Sequence, residues 1–150
     1  MNSEIDRLMR QWERIHQHTT MVMKAAPDDK LEWKPVETVM SLGELLRHLV
    51  SAEHFLVTLS LTGQGQRPSE DLKQYTVAGL VEAFDQQHQR LVTQVAALTP
   101  EQWKETIHFK GQPMSRLTLL WGLTEHEVHH RGQLLTYLRL LGIEPPAIYH

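Results

Sequence analysis

Two histidines near the end of the chain, His126 and His130, have the spacing of a pair of metal ligands. Residues four apart on an α-helix lie on one face, so both imidazoles can reach one ion. A buried aliphatic side chain would stabilise the fold more than a buried imidazole without a partner. Histidine at these positions therefore suggests a functional role such as metal binding. The pair belongs to an apolar stripe of residues three and four apart: Leu123, His126, His130, Leu134, Tyr137 and Leu141.

A third histidine, His48, interrupts the apolar stripe of an earlier segment in the same way. It follows Leu45 and precedes Ala52 and Phe55. In helix bundles, metal sites are built from side chains on facing helices. Three neutral imidazoles would bind a divalent first-row ion and leave a position for water or substrate. The alternative is three unrelated core histidines that bond to backbone or water.

The segment from His126 to His130 also matches a short zinc-protease pattern, in which Glu127 would activate a zinc-bound water. Five-residue matches of this kind are frequent by chance. The longer forms of the motif fail, because Gln133 stands in place of a glycine and Tyr137 in place of a third ligand. We therefore do not predict a peptidase.

Composition excludes several classes of function. The chain has no cysteine, so a disulfide, a thiolate metal site and a cysteine nucleophile are all excluded. The net charge of −3 and the lack of basic runs argue against nucleic acid as a partner. No segment has the ~20 nearly continuous apolar residues of a membrane span. The first residues lack the pattern of a secretory signal, so we expect a cytoplasmic protein.

Four segments have the period of amphipathic helices, and none alternates as a strand does. We expect helices at about 5–26, 41–62, 76–98 and 113–141, with a short helix start at Thr99. Ser41 and Glu44 form a capping box, and Gly142 stands where a left-handed C-cap would fall. Each helix buries only one stripe, so the four must pack together. The sequence predicts an all-α four-helix bundle with at least one long crossover, as a single domain over residues 1–150.

The segment 126–134, His-Glu-Val-His-His-Arg-Gly-Gln-Leu, resembles the closing signature of the DinB-like (DinB/YfiT) family of metalloenzymes. That signature is a histidine, three residues, and then His-Arg-Gly-Gln. The upstream block is also similar to the family: Trp33-Lys-Pro35, the segment 41–49, and Glu53. The end of the chain, residues 141–149, matches the usual ending, so the resemblance covers nearly the whole chain.

This resemblance implies an up-down-down-up bundle, often a homodimer, whose metal ligands are His48, His126 and His130. The ion in such proteins is usually described as nickel or zinc. Better-understood relatives transfer low-molecular-weight thiols, and others are called metal-dependent hydrolases. We therefore expect a thiol transferase or hydrolase that activates a thiol or water for reaction with a small-molecule substrate. The alternative is a non-catalytic, stress-related protein that binds a metal or ligand. The sequence assigns no catalytic residue.

Two further residues of the signature, Arg131 and Gln133, are expected to have structural roles. Arg131 is expected to pair with a carboxylate such as Glu53, and Gln133 to bond a neighbouring helix. Glu127 would be a general base if it leaned toward the metal. Because it lies one position from His126 around the helix, we expect it to face solvent or a partner of a ligand.

The remaining histidines need no special chemistry. His88 lies on the third apolar stripe and is expected to be packed and hydrogen-bonded, while His129 points away from the pair. We expect the others to be solvated: His16, His18, His54, His108 and His150. Trp33 and Trp121 are expected in the core, with the lining of a pocket as the alternative.

Apolar residues in excess of the four stripes predict a homodimer. They are Leu117, Trp121 and Val128 on the last helix and Met9, Met21 and Met23 on the first. Exposed apolar surface often marks an interface, and a self-complementary helical face gives a two-fold dimer. The alternative is that the links at 26–40 and 99–112 cover these faces, with Trp33 and Trp103 packed on them.

Overall fold

The computed structural model describes residues 3–149, and these are predominantly helical. The long helices are α1 (Ser3–Met23), α2 (Leu42–Thr62), α3 (Val77–Ala96) and α5 (Arg116–Leu140), with a one-turn helix α4 (Pro100–Trp103). Two 3-10 turns lie at Asp28–Lys30 and Leu72–Gln74, and a hairpin is formed by β1 (Thr106–Phe109) and β2 (Gln112–Ser115). The predicted four-helix bundle is confirmed. No helix in this part of the chain is both long and apolar enough to cross a membrane.

The ends of the helices follow from local sequence. At the start of α2, the Ser41 hydroxyl accepts from the Glu44 amide at 3.1 Å, and the Glu44 carboxylate accepts from the Ser41 amide at 2.7 Å. This is the predicted capping box, and it satisfies amides that have no partner within the helix. Gly142 has a φ of 78° after α5, as predicted for a left-handed cap.

Two core clusters show the directions of the helices. One cluster joins Leu8 and Trp12, at the start of α1, to the ends of α2 and α3 and the start of α5. The other joins Met23, at the end of α1, to the starts of α2 and α3 and the end of α5. Helices α1 and α5 therefore run one way and α2 and α3 the other, which confirms the up-down-down-up order. Helices α1 and α2 each pack against both α3 and α5, so they lie at opposite corners of the bundle. The link at 24–41, which joins them, therefore crosses the bundle.

The prediction that no segment forms a strand is wrong at residues 106–115. Strands β1 and β2 pair antiparallel, with Thr106 opposite Ser115 and Phe109 opposite Gln112. The two-residue loop between them, Lys110 and Gly111, has positive φ values of 51° and 77°. Such a turn matches the twist of paired strands. Strands of four residues are too short to give a periodic signal. The sequence therefore predicts that the last helix begins at about residue 113, whereas α5 begins at Arg116.

The segments that link the helices cover part of the apolar surface that lies outside the four predicted stripes. Trp103 is only 2% exposed and belongs to the core around the start of α5. Trp33 packs edge-to-face on Tyr137, with ring centroids 5.6 Å apart. Met23, expected at an interface, is a fully buried core residue. The excess apolar surface is therefore smaller than the sequence suggested.

Candidate metal centre

The three histidines singled out by the sequence meet between α2 and α5. The Nε2 atom of His48 lies 3.0 Å from that of His126 and 3.1 Å from that of His130, and the latter two are 3.1 Å apart. Three nitrogens that bind one zinc tetrahedrally at about 2.0–2.1 Å lie about 3.3 Å apart. The ring planes are inclined by 57°, 82° and 68°, so in-plane lone pairs can converge on one point. This donor set fits one small divalent ion.

A hydrogen bond within α5 orients one of these rings. Nδ1 of His130 donates to the side-chain oxygen of Gln133 at 2.5 Å. A carbonyl oxygen only accepts, so the ring proton is on Nδ1 and the lone pair of Nε2 is free for a metal. The expectation that Gln133 bonds a neighbouring helix is wrong, because residues three apart on a helix already lie side by side.

All three imidazoles are held in the neutral form that metal ligation requires. Burial, with the nearby rings of His130 and His48, lowers the pKa of His126 to about 4. Burial is also the main cause that lowers the pKa of His48 and of His130. At His130 the hydrogen bond to Gln133 raises the pKa, but by less than burial lowers it. Near pH 7 the lone pairs are therefore not blocked by protons.

A second group of titratable side chains has His16, Glu53 and His88 inside the bundle and two half-exposed carboxylates at its edge. Nδ1 of His88 bonds Glu53 at 2.8 Å and its Nε2 bonds Glu13 at 3.0 Å, while Nε2 of His16 bonds Asp85 at 2.7 Å. Although His16, Glu53 and His88 lie close enough to share an ion, the rings of the two histidines are parallel within 1° and stacked 3.8 Å apart. Lone pairs in two parallel planes cannot meet at one ion. This group is therefore a hydrogen-bonded network in the core.

Other histidines and tryptophans divide between core and surface. The packed position of His88 is confirmed, but the solvated position expected for His16 is wrong, since it is 4% exposed. His108 and His129 are exposed as expected, His18 and His54 are half-buried, and His150 lies outside the described residues. Trp33 and Trp121 are both partly buried and pack against the core, and Trp121 also lines a cavity.

Glu127 does not face solvent, and the hydrogen-bond partner of Arg131 is not the carboxylate that the sequence suggested. Glu127 is 2% exposed, and burial together with the charge of Glu53 raises its pKa to about 8. Arg131 is buried and donates to the hydroxyl of Tyr149 at 2.6 Å. The physical reason is that α5 packs against both α1 and α2, so the positions beside the His126 face are also in the interior.

A cavity of about 990 Å³ opens beside His48 and His126. Its wall is largely apolar, with Phe55 from α2 and Trp121 from α5. Its charged residues are Arg67, Lys110 and Glu125. Neither Arg67 nor Lys110 belongs to a motif or an apolar stripe of the sequence. The Lys110-Gly111 pair after a β-prone segment is the signal that could have indicated a hairpin tip.

Known proteins resemble this chain over nearly its whole length. The model of the DinB family matches residues 1–150. The uncharacterized protein YrdA of Bacillus subtilis is 30% identical over 154 residues, which cover 99% of this chain and 90% of the relative. The crystal structure of the DinB-like protein YjoA of Bacillus subtilis has a TM-score of 0.76 and 26% identity, over 96% of this chain and 98% of that one.

Two more distant structures share the fold. YfiT of Bacillus subtilis, named a probable metal-dependent hydrolase with an unusual four-helix bundle topology, has a TM-score of 0.76 and 18% identity, over 96% and 91% of the two chains. A mycothiol-dependent maleylpyruvate isomerase has a TM-score of 0.66 and 12% identity, over 89% of this chain and 63% of that one.

Proposed function

This chain belongs to the DinB family, and on that basis we propose that it is a metal-dependent enzyme that acts on a small molecule. His48, His126 and His130 would hold one divalent ion. The observation that carries the proposal is the convergence of their three Nε2 atoms within 3.0–3.1 Å, at the edge of a cavity of about 990 Å³. The naming of YfiT as a probable metal-dependent hydrolase supports it.

The donor set limits the chemistry. Imidazole nitrogens suit zinc, nickel and neighbouring divalent ions, and we propose nickel or zinc. When bound, such an ion supplies Lewis acidity that lowers the pKa of a coordinated water or thiol. The chain has no cysteine, so the nucleophile comes from outside it: water for hydrolysis, or a low-molecular-weight thiol for transfer. The structural likeness to a mycothiol-dependent isomerase supports a thiol co-substrate.

The residues of the chain have separate tasks in this proposal. Gln133 holds the ring of His130 with its lone pair toward the centre, and burial keeps the imidazoles unprotonated. The apolar wall around Phe55 and Trp121 provides a surface for substrate.

Elemental analysis of the purified protein tests the metal site. We expect one equivalent of metal in the parent and a large loss in His48→Asn, His126→Asn and His130→Asn. His129→Asn is the matched control, because His129 is exposed and adjacent in sequence to a ligand. Equal metal content in all variants would contradict the site.

Turnover is tested on metal-loaded protein with two panels. One combines low-molecular-weight thiols with an electrophile such as chlorodinitrobenzene, and the other contains ester and amide substrates. Metal-dependent turnover in either panel that His126→Asn abolishes is expected. Stoichiometric metal without turnover in both panels would favour a metal-binding protein that is not an enzyme.

A further inference from the structure

We propose that the cavity beside the three histidines binds an amphiphilic anion, with an apolar body and a carboxylate or phosphate head group held by Arg67 and Lys110. The identification of this ligand as a substrate rests on the proposed function. The binding of the anion depends on the cavity alone, so the binding proposal and the proposed function can fail separately.

The apolar wall of the cavity fits the body of such a ligand. Phe55 and Leu59 come from α2, Trp121 and Gly122 from α5, and Met114 from the hairpin. A Cβ atom at Gly122 would meet no heavy atom within 4 Å, so the face of α5 is open at this point. Apolar surface around an open cavity of this size is characteristic of sites for small organic ligands.

The charges at the cavity favour an anion. Arg67 lies in the segment after α2 and Lys110 at the tip of the hairpin, and both are exposed. Neither forms an ion pair within residues 3–149. Glu125 is the one carboxylate among the lining residues, so the cavity has a formal charge of +1 with its histidines neutral. Arginine and lysine side chains bind carboxylate and phosphate groups through charge-assisted hydrogen bonds.

The backbone at Lys110 gives independent support. Its φ of 51° is in the left-handed region, which is unfavourable for a residue with a Cβ. Asparagine or glycine is the preferred residue at this position of a two-residue hairpin loop. Lysine there lowers hairpin stability but places an ammonium group at the cavity. Strained backbone of this kind clusters at active sites and ligand-binding residues.

Calorimetric titration of metal-free and zinc-loaded protein tests the proposal. The probes are octanoate and octyl phosphate, compared with 1-octanol and octylamine, which have similar bodies and no anion. We expect at least one of the two anions to bind about tenfold or more tightly than either comparison probe, also in metal-free protein. Arg67→Gln and Lys110→Gln should each weaken this binding about tenfold and leave 1-octanol unchanged. Arg90→Gln, an exposed arginine on α3 that does not line this cavity, is the matched control.

Two further variants separate binding from folding. Lys110→Asn should raise Tm by about 2 °C or more and still weaken anion binding. Gly122→Leu should fill part of the cavity and weaken the binding of the anions and of 1-octanol alike. Equal affinity for anions and 1-octanol would overturn the proposal. Anion binding that requires zinc and is unchanged in Arg67→Gln would also overturn the proposal, because the anion would then be a metal ligand.

Discussion

Gln133 accepts a hydrogen bond of 2.5 Å from Nδ1 of His130, on the side of the ring opposite the atom that faces His48 and His126. The bond determines which nitrogen of His130 carries the proton. Partners of this kind hold the rings of metal ligands in position and increase their basicity. The structure thus assigns the last glutamine of the His-Arg-Gly-Gln segment to the orientation of His130, one of the three proposed metal ligands.

Replacement of Gln133 should weaken metal binding although the residue is not a ligand. We expect Gln133→Leu to lower the affinity for zinc about 10- to 100-fold, because His130 loses the acceptor that fixes its tautomer. Gln133→Glu keeps an acceptor and should restore most of the affinity. Competition with a chromophoric chelator measures both, with Gln86→Leu, an exposed glutamine on α3, as the control. Parent-like affinity in Gln133→Leu would be inconsistent with this role.

Removal of the buried Glu53 carboxylate should strongly destabilise the fold. Glu53 is 1% exposed and accepts from His88 at 2.8 Å and from Gln87 at 3.1 Å. Glu53→Leu leaves both partners buried without it, so we expect a loss of about 3–5 kcal/mol in the free energy of unfolding. Urea denaturation measures this loss. The exposed control Glu82→Leu should change stability by about 0.5 kcal/mol or less, and a similar small effect at Glu53 would refute the prediction.

The stability contributed by His88 should depend on pH. Burial opposes its positive charge, but the hydrogen bonds and charges of Glu53 and Glu13 outweigh burial and raise the pKa of His88. The stabilisation is fully present below the unfolded-state pKa of about 6.5 and is lost as pH rises through the folded-state pKa. His88→Gln should therefore cost more free energy of unfolding at about pH 6 than at about pH 9.

Urea denaturation of the parent and His88→Gln at both pH values measures this difference. In a Glu53→Gln background the pH dependence should shrink, because the principal partner of the charge is gone. A cost of His88→Gln that is the same at both pH values, or larger at the higher one, would count against the assignment.

The homodimer remains a prediction, with a smaller candidate surface. Met21 is 42% exposed and Val128 is 38% exposed, whereas Met23 is in the core. Light scattering at micromolar concentration should give about twice the chain mass of 17.4 kDa. Val128→Arg should shift the mass toward the monomer, while Leu140→Arg, 61% exposed at the end of α5, should not. A parent mass near 17.4 kDa would rule out the dimer.

The sequence by itself determined the features that depend on local spacing. The capping box at Ser41, the left-handed Gly142 and the common face of His126 and His130 all depend on residues a few positions apart. Such residues are brought together by the helix itself, so a pattern of three and four is enough to predict them. The four amphipathic segments likewise predict a bundle, because each has one stripe to bury.

Only the tertiary structure decided which residues meet across the bundle. His48 reaches His126 over a separation of 78 residues, and Arg131 reaches Tyr149 rather than Glu53. A helical pattern shows that a face is buried but not which neighbour it meets. Because α5 packs against both α1 and α2, Glu127 is inside although one stripe alone places it outside. The hairpin and the cavity at its side depend on contacts between segments that carry no shared pattern in the sequence.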